Sequence, residues 1–435
     1  MSVPRYASYW ESEVEWLGAV PDHWEVKRLA HYFDERREKC SDKDFPALSV
    51  TKNGIVPQLD TAAKTDDGDN RKKVLSGDFV INSRSDRKGS AGLSGFDGSV
   101  SLINTVLAPQ QGILGAFAHH LLRSVVFQEE FYRYGKGIVA DLWSTNYSEM
   151  RNIVLAMPPL AEQTAIADFL DRETGKIDAL VEAQRRLIEL LKEKRQAVIS
   201  HAVTKGLDPA APMKDSGVEW LGEVPVHWCL SRLKHLTPAI TVGIVVEPSK
   251  YYVEDGVPAL RSMNVRAGRL KMDNLVFLSE EANELHSKSK LRAGDLVAVR
   301  TGQPGTTAII PPELEGANCI DLIVIRRPFG SERFLCWYLA SDPAVRQFSE
   351  GSGGAIQQHF NIGTAVNLLV PHGPLAEQEA ISDFLDEQTK RLDALVEQAQ
   401  MAMTLLMERR AALISAAVTG KIDVRGFGQQ RSEAA

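Results

Sequence analysis

The chain has 435 residues, 44% of them hydrophobic and 25% charged, the make-up of an ordinary globular protein with room for two or three domains. No run approaches the roughly 18 consecutive apolar residues of a membrane span, and Met1-Ser2-Val3-Pro4-Arg5-Tyr6 carries no apolar signal-peptide core, so no membrane partner is expected and the cytoplasm is the expected compartment. A net charge of −7 excludes a general polyanion-coating protein, but it leaves open a local basic face that meets DNA with contacts added by partner chains.

In chain order, an aromatic leader comes first: Trp16-Leu17-Gly18, Val20-Pro21 and His23-Trp24. A long insert follows, rich in short strand and turn patterns. Within it Val74-Leu75-Ser76-Gly77-Asp78 is a turn feeding the apolar strand Phe79-Val80-Ile81, and a short helix is expected over Phe127 to Tyr134. Pro158-Pro159 then opens a proline-free helical stretch from Leu160 to Val203, with Glu162 in the first turn, where the helix dipole favours negative charge. It stops at Lys205-Gly206, and Leu207-Asp208-Pro209-Ala210-Ala211-Pro212 reads as a linker.

The same order then repeats. Trp220-Leu221-Gly222, Val224-Pro225 and His227-Trp228 restate the leader. Pro258-Ala259-Leu260 restates Pro46-Ala47-Leu48, and Gly294-Asp295 leads a second apolar strand, Leu296-Val297-Ala298-Val299. A helix is expected over Glu332 to Leu339, followed by the loop Gly351-Ser352-Gly353-Gly354. Pro374-Leu375-Ala376-Glu377-Gln378 restates Pro159-Leu160-Ala161-Glu162-Gln163 and opens a second long helix that ends at Gly420-Lys421. The boundaries are therefore 1–157 for the first leader and insert, 158–205 for the first helical region, 206–215 for the linker, 216–372 for the second leader and insert, 373–421 for the second helical region and 422–435 for a flexible tail. An internal repeat of this kind decides the fold class, which is α+β: two similar mixed α/β domains with two long helices in a pseudo-two-fold arrangement.

Along the first helix Ile177, Leu180, Leu187, Leu191 and Val198 recur at alternating steps of three and four, with Gln184 and Lys194 filling the line; along the second, Leu392, Leu395, Ala402, Leu406 and Leu413 do the same, with Ala399 and Arg409. That is the coiled-coil period, and these residues are the expected pairing seam. Val181, Ile188, Ile199, Val396, Met403 and Ile414 widen the stripe. The two helices are each other's nearest available partner; packing of each on its own insert is the alternative.

No catalytic motif emerges. There is no phosphate-cradling Gly-x4-Gly-Lys-Ser/Thr loop, no dinucleotide fingerprint, and no His/Cys spacing suited to zinc. Cys40, Cys229, Cys319 and Cys336 form no Cys-x-x-Cys pair. Pro21-Asp22-His23-Trp24-Glu25-Val26-Lys27 superficially resembles a nuclease carboxylate cluster, but its spacing is too tight, and its repeat, Pro225 to Ser231, loses every acidic group. Trp16, Trp24, Trp220 and Trp228 read as packing anchors, and His23 and His227 as structural.

What remains is binding chemistry. The first insert carries Lys52, Arg71, Lys72, Lys73, Arg84, Arg87 and Lys88 at expected turns; the second carries Arg261, Arg266, Arg269, Arg300, Gln303, Gln357 and Gln358, with Lys288, Lys290, Arg292 and His359 nearby. Arginine suits guanine N7/O6, glutamine suits adenine N6/N7, and lysine more often meets phosphate. Ser83-Arg84 and Arg300, after the two Gly-Asp strands, are the leading candidates.

With these residues in view, the chain resembles the DNA-specificity subunits of type I restriction-modification systems. The resemblance rests on Lys214-Asp215-Ser216-Gly217-Val218-Glu219-Trp220-Leu221-Gly222 with Pro225 and His227-Trp228, on the Pro-Leu-Ala-Glu-Gln helix start, on Ile-x-Asp-Phe-Leu-Asp and on the repeated Gly-Asp strand. It implies a non-catalytic subunit in which two target-recognition domains each read half of a bipartite, asymmetric site in double-stranded DNA. It further implies that the long helices pack antiparallel, set the spacer and dock two methyltransferase subunits, joined by restriction-translocase subunits. S-adenosylmethionine, ATP and magnesium would belong to those partners, with no cofactor in this chain. A seam from about Lys176 to Val203 would be roughly 42 Å long, a little over one turn of DNA. Two readings from other classes stand beside it: a nuclease or methyltransferase, and a structural coiled-coil adaptor without DNA specificity.

Overall fold

A computed structural model describes residues 4–60, 68–137, 143–301, 305–350 and 360–427. The chain divides into two compact units, residues 1–185 with 401–435, and residues 186–400. Each unit therefore combines a leader, an insert, half of one long helix and half of the other.

In the first unit the leader is a hairpin, Tyr9–Glu11 against Ala19–Pro21. Glu25–Arg28 then pairs antiparallel with Val154–Met157, so the two ends of the insert are zipped together. The insert holds an antiparallel sheet in the order Ala91–Leu93, Phe79–Asn82, Asn104–Pro109, Phe33–Glu35. The strand expected after Gly77-Asp78 is the Phe79–Asn82 member of this sheet, and all four of its residues are buried, as a continuous apolar run requires. A smaller sheet, Gly98–Val100, Arg71–Val74, Lys39–Cys40, and the hairpin Leu48–Thr51/Gly54–Pro57 complete it. The helix expected near Phe127 is Val125–Arg133, capped by the Ser124 hydroxyl, and Gly115–Arg123 precedes it. Phe33, Phe117, Phe127 and Phe131 pack with Ile166 and Leu170 of the first long helix and with Ala417 and Val418 of the second.

The second unit repeats the plan. Met213–Asp215 pairs with Glu223–Pro225, and Cys229–Arg232 with Leu369–His372. One sheet runs Ile240–Val242, Leu322–Ile325, Leu296–Val299, Thr307–Ile309; another runs Tyr252–Val253, Val276–Leu278, Val257–Leu260, Asn318–Cys319, with its last pair parallel. Glu332–Leu339 is helical as expected, capped by Ser331. Trp228, Phe334, Tyr338 and Phe348 pack with Ile199, Ala202 and Val203 of the first long helix and with Ile381 and Leu385 of the second.

The long helices run Leu160–Lys205 and Leu375–Val418. They pack antiparallel, and the pairing seam differs from the sequence expectation. Ile177, Leu191 and Leu392 are buried, and Val198, Ala402, Leu406 and Leu413 are half-buried. Leu180, Leu187 and Leu395, however, are 51%, 41% and 47% exposed. Val181 is buried and Ile188, Val396 and Met403 are half-buried in their place. A straight helix completes a turn in 3.6 residues, so the residue four after Ile177, not three, shares its buried face. The line continues to Arg195 and Arg410, two equivalent arginines. In the first unit Arg410 donates to Asp178 through Nε and a terminal nitrogen, at 2.8 and 3.2 Å. In the second, Arg195 Nε lies 3.1 Å from Asp393, an ion contact without hydrogen-bond alignment, and its guanidinium faces the Trp337 ring.

The stretch expected to be a flexible tail is anchored over its first residues. Val424 is buried, the Asp423 amide donates to the Pro4 carbonyl, and Phe427 packs on Phe169. The apolar spacing of Ile422, Val424 and Phe427 is too short to have signalled this.

Candidate nucleic-acid interface

The repeated Pro-Leu-Ala-Glu-Gln segment is the frame on which each insert is mounted. Glu162 is almost wholly buried and accepts from Trp24 Nε1 at 3.0 Å and from the Tyr6 hydroxyl, and it pairs with His23 Nε2 at 2.7 Å. Burial and the neighbouring carboxylate push the Tyr6 hydroxyl far above the usual tyrosine range, so it stays a proton donor. Gln163, fully buried, accepts from the Leu114 amide at 2.7 Å and donates to the Gly112 and Pro158 carbonyls, both at 2.9 Å. In the second unit Glu377 pairs with His227 at 2.8 Å, and Gln378 accepts from the Ser331 amide and donates to the Gly373 carbonyl. One glutamate thus holds the leader, and the next residue holds the insert. Each leader histidine has a carboxylate partner distant in sequence, which local spacing could not reveal. Trp24 and Trp228 are buried anchors, whereas Trp16 and Trp220 are only half-buried.

On this frame the expected DNA-contacting residues fall into three groups. Some are consumed by the fold. Arg71 is 5% exposed and donates to the Ser99 hydroxyl and carbonyl, so it is a strut inside its sheet and not a DNA contact. Arg300 pairs with Asp321 and is largely covered. Arg261 is half-buried and donates to the Asn274 carbonyl. Lys72 reaches the Asn104 carbonyl, and Lys73 pairs with Glu38 at 3.0 Å. The Gly-Asp pair itself is structural: Asp78 and Asp295 are buried, each accepting a turn amide and an arginine, Arg36 and Arg326 respectively. A turn-plus-charge pattern cannot tell such a buried strut from an exposed contact.

The second group is brought together at the surface. Arg84 and Arg87 flank Asp86, Lys88 sits over the Tyr132 ring, and Lys136, which sequence reasoning missed, joins them across the bridge between residues 136 and 144. In the second unit Arg266 and Arg269 face each other across a tight hairpin turned by Ala267-Gly268, with Gly268 at φ +73°. Both are exposed, and neither meets a carboxylate among the described residues. Like charges opposed across a hairpin destabilise it, so this tip is suited to an anion. Lys52 is exposed at the tip of its hairpin, apart from both groups. The third group, Gln303, Gln357 and Gln358, lies outside the described residues.

The long helices leave a second kind of surface. In the second unit Leu187 and Leu190 are 41% and 46% exposed, and in the first unit Met401, Leu405 and Met407 are 56–65% exposed. Among the described residues no group of His, Cys, Asp and Glu could hold a metal ion, and no helix is long and apolar enough to cross a membrane.

No family model matches the chain. It is 24% identical to the type I restriction enzyme MjaVIII specificity subunit of Methanocaldococcus jannaschii, over 94% of this chain and 95% of that one. It is 28% identical to the EcoKI specificity subunit of Escherichia coli over 53% of this chain and 48% of that one. Among solved structures, a chain from a study of complex assembly and conformational transition of the type I R-M system matches with a TM-score of 0.64, covering 92% of this chain and 98% of that one at 19% identity. The HsdS subunit of Thermoanaerobacter tengcongensis matches with a TM-score of 0.52, covering 93% and 98% at 18% identity. Along nearly its whole length this chain is similar in sequence to a type I restriction enzyme specificity subunit, and it shares the fold of the solved ones.

Proposed function

We propose that the chain is the non-catalytic DNA-specificity subunit of a type I restriction-modification complex. Each unit reads one half of a bipartite, asymmetric DNA site, and the paired helices set the spacer and dock two methyltransferase subunits. The observation that carries this reading is a frame repeated in both units, a Glu–His pair and a glutamine accepting an insert amide at Glu162-Gln163 and Glu377-Gln378, that mounts two unlike basic surfaces, the Arg84–Lys88 loop and the Arg266/Arg269 hairpin. A repeated frame suits two copies of one partner; unlike surfaces suit an asymmetric site. In each unit separately, Leu187 and Leu190 of the second and Met401, Leu405 and Met407 of the first are apolar surface that a partner helix would cover. S-adenosylmethionine, ATP and magnesium are then bound by the methyltransferase and restriction-translocase partners, and the complex works in the cytoplasm.

The test is co-expression with the neighbouring methyltransferase and single-molecule mapping of methylated adenines. Exchange of residues 45–150 for those of another such subunit is expected to change one half-site and spare the other. A co-purifying complex that methylates no defined sequence would instead mark a coiled-coil adaptor.

A further inference from the structure

Three loops of the first unit are tied into one surface by backbone bonds. The Ser83 amide donates to the Ile103 carbonyl at 3.2 Å, the Ser85 amide to the Trp143 carbonyl at 2.9 Å, and the Thr145 amide to the Ser83 carbonyl at 2.9 Å. Lys136 and Ser144 exchange two further backbone bonds, at 3.1 and 3.0 Å. Beneath them the Asn82 side chain accepts from the Arg84 amide, and the Ser83 and Thr105 hydroxyls bond at 3.0 Å.

This tied surface presents an unusual mixture. Leu102, Ile103 and Trp143 are 43%, 45% and 36% exposed. The same bonded loops carry Arg84, Arg87, Lys88 and Lys136, the last 77% exposed. The acids that face them are Asp86, between Arg84 and Arg87, and Glu149, beside Lys136. Single exposed apolar residues are commonplace, but three on bonded loops that also carry four cations are not the pattern of a solvated turn. Nor does the mixture suit an acidic chain of net charge −7 unless its occupant is an anion with apolar faces. Duplex DNA has that chemistry: phosphates outside, and thymine methyls and base faces within.

We propose that Leu102, Ile103 and Trp143 form an apolar prong that presses on the bases of one half-site, while Arg84, Arg87, Lys88 and Lys136 hold the flanking phosphates. The inference rests on the chain being a DNA-specificity subunit and names how its first unit reads. Because backbone bonds tie residues 83 and 85 to residues 103, 143 and 145 before DNA arrives, the prong costs little ordering on binding. The second unit offers Arg266 and Arg269 on a hairpin instead, so its half-site is read by different chemistry.

The complex with its methyltransferase is used to select duplexes from a randomised library, and affinity for the selected duplex is followed against salt. Trp143→Ala is expected to weaken binding roughly 10- to 100-fold, erasing base preference in one half-site with the salt slope unchanged. Arg87→Ala combined with Lys136→Ala is expected to lower the salt slope by about two and leave the selected sequence intact. Should Trp143→Ala fail to fold, Ile103→Ser and the lysine and arginine variants, all at exposed positions, carry the test. Base preference retained in both halves with affinity within about twofold overturns the prong, as does a loss spread over both halves. A wild-type complex that selects no split sequence overturns the parent reading instead.

Discussion

Leu187 and Leu191 separate the two faces of the first long helix, and their truncation should have opposite consequences. Leu191 is 8% exposed in the seam, whereas Leu187, one turn earlier, is 41% exposed. Leu191→Ala removes a buried side chain and leaves a cavity, a loss of about 2–4 kcal/mol. In a unit of this size that lowers the thermal midpoint by roughly 5–12 °C. Leu187 has kept much of its surface in water, so Leu187→Ala should cost the isolated chain below about 1 kcal/mol. In the complex the order reverses. If a methyltransferase helix covers the outer face, Leu187→Ser with Leu190→Ser forfeits about 1 kcal/mol of burial per leucine, roughly a 30-fold loss of partner affinity. Differential scanning calorimetry of the chain alone and titration with the purified methyltransferase measure the two quantities. If Leu187→Ala destabilises the lone chain as much as Leu191→Ala, Leu187 belongs to the intramolecular seam and the outer face is not a docking face.

Gln163→Ala leaves the Leu114 amide and two carbonyls unpartnered, a cost of about 3 kcal/mol or more, whereas Gln378→Ala strands one amide and one carbonyl and should cost about 2 kcal/mol; urea midpoints in the opposite order would contradict the hydrogen-bond assignment. His119, which faces Arg123 at 2.7 Å, is pulled down to about 4 by burial, and His120 is also lowered, so both are neutral in the folded unit. The His119 contribution is fully present above the unfolded value near 6.5 and is lost as pH falls towards 4, so His119→Gln should flatten the decline of the urea midpoint over that window. Arg410 and Asp178 are both substantially exposed, so a double-mutant cycle between them should return only about 0.3–1 kcal/mol. Gly92→Ala would set a methyl 2.9 Å from the Gly54 backbone and should cost about 1–3 kcal/mol, seen as a lower thermal midpoint.

The long-range plan was legible because a duplicated sequence is compared with itself. Both helices, both leaders and the strand after each Gly-Asp stand where the repeats put them. The seam was half legible. Ile177 and Leu191 carry the period, but leucines at 180 and 187 mimic it on a face that turns outward, and hydrophobicity alone cannot separate an intramolecular partner from an intermolecular one. The candidate interface was the least legible part. Arg71 and Arg87 look alike in sequence; one is a strut under Ser99 and the other stands in solvent, a difference set by strand pairing. Trp143 and Lys136 were missed because they gain meaning only when their loop is laid beside residues 83–88.

The division of the helices between the two units also orders events during synthesis. Residues 186–400 are continuous, so the second unit has all its core side chains once that stretch has left the ribosome. The first unit does not. Its Trp24, Ile166, Phe169 and Leu170 pack with Ile414, Ala417, Val418 and Val424, which are made after the whole of the second unit. Until then a row of large apolar side chains stays uncovered, and closing so long a loop is slow. A chain truncated after residue 400 and released should therefore hold a finished second unit and an open, protease-sensitive, chaperone-binding first one.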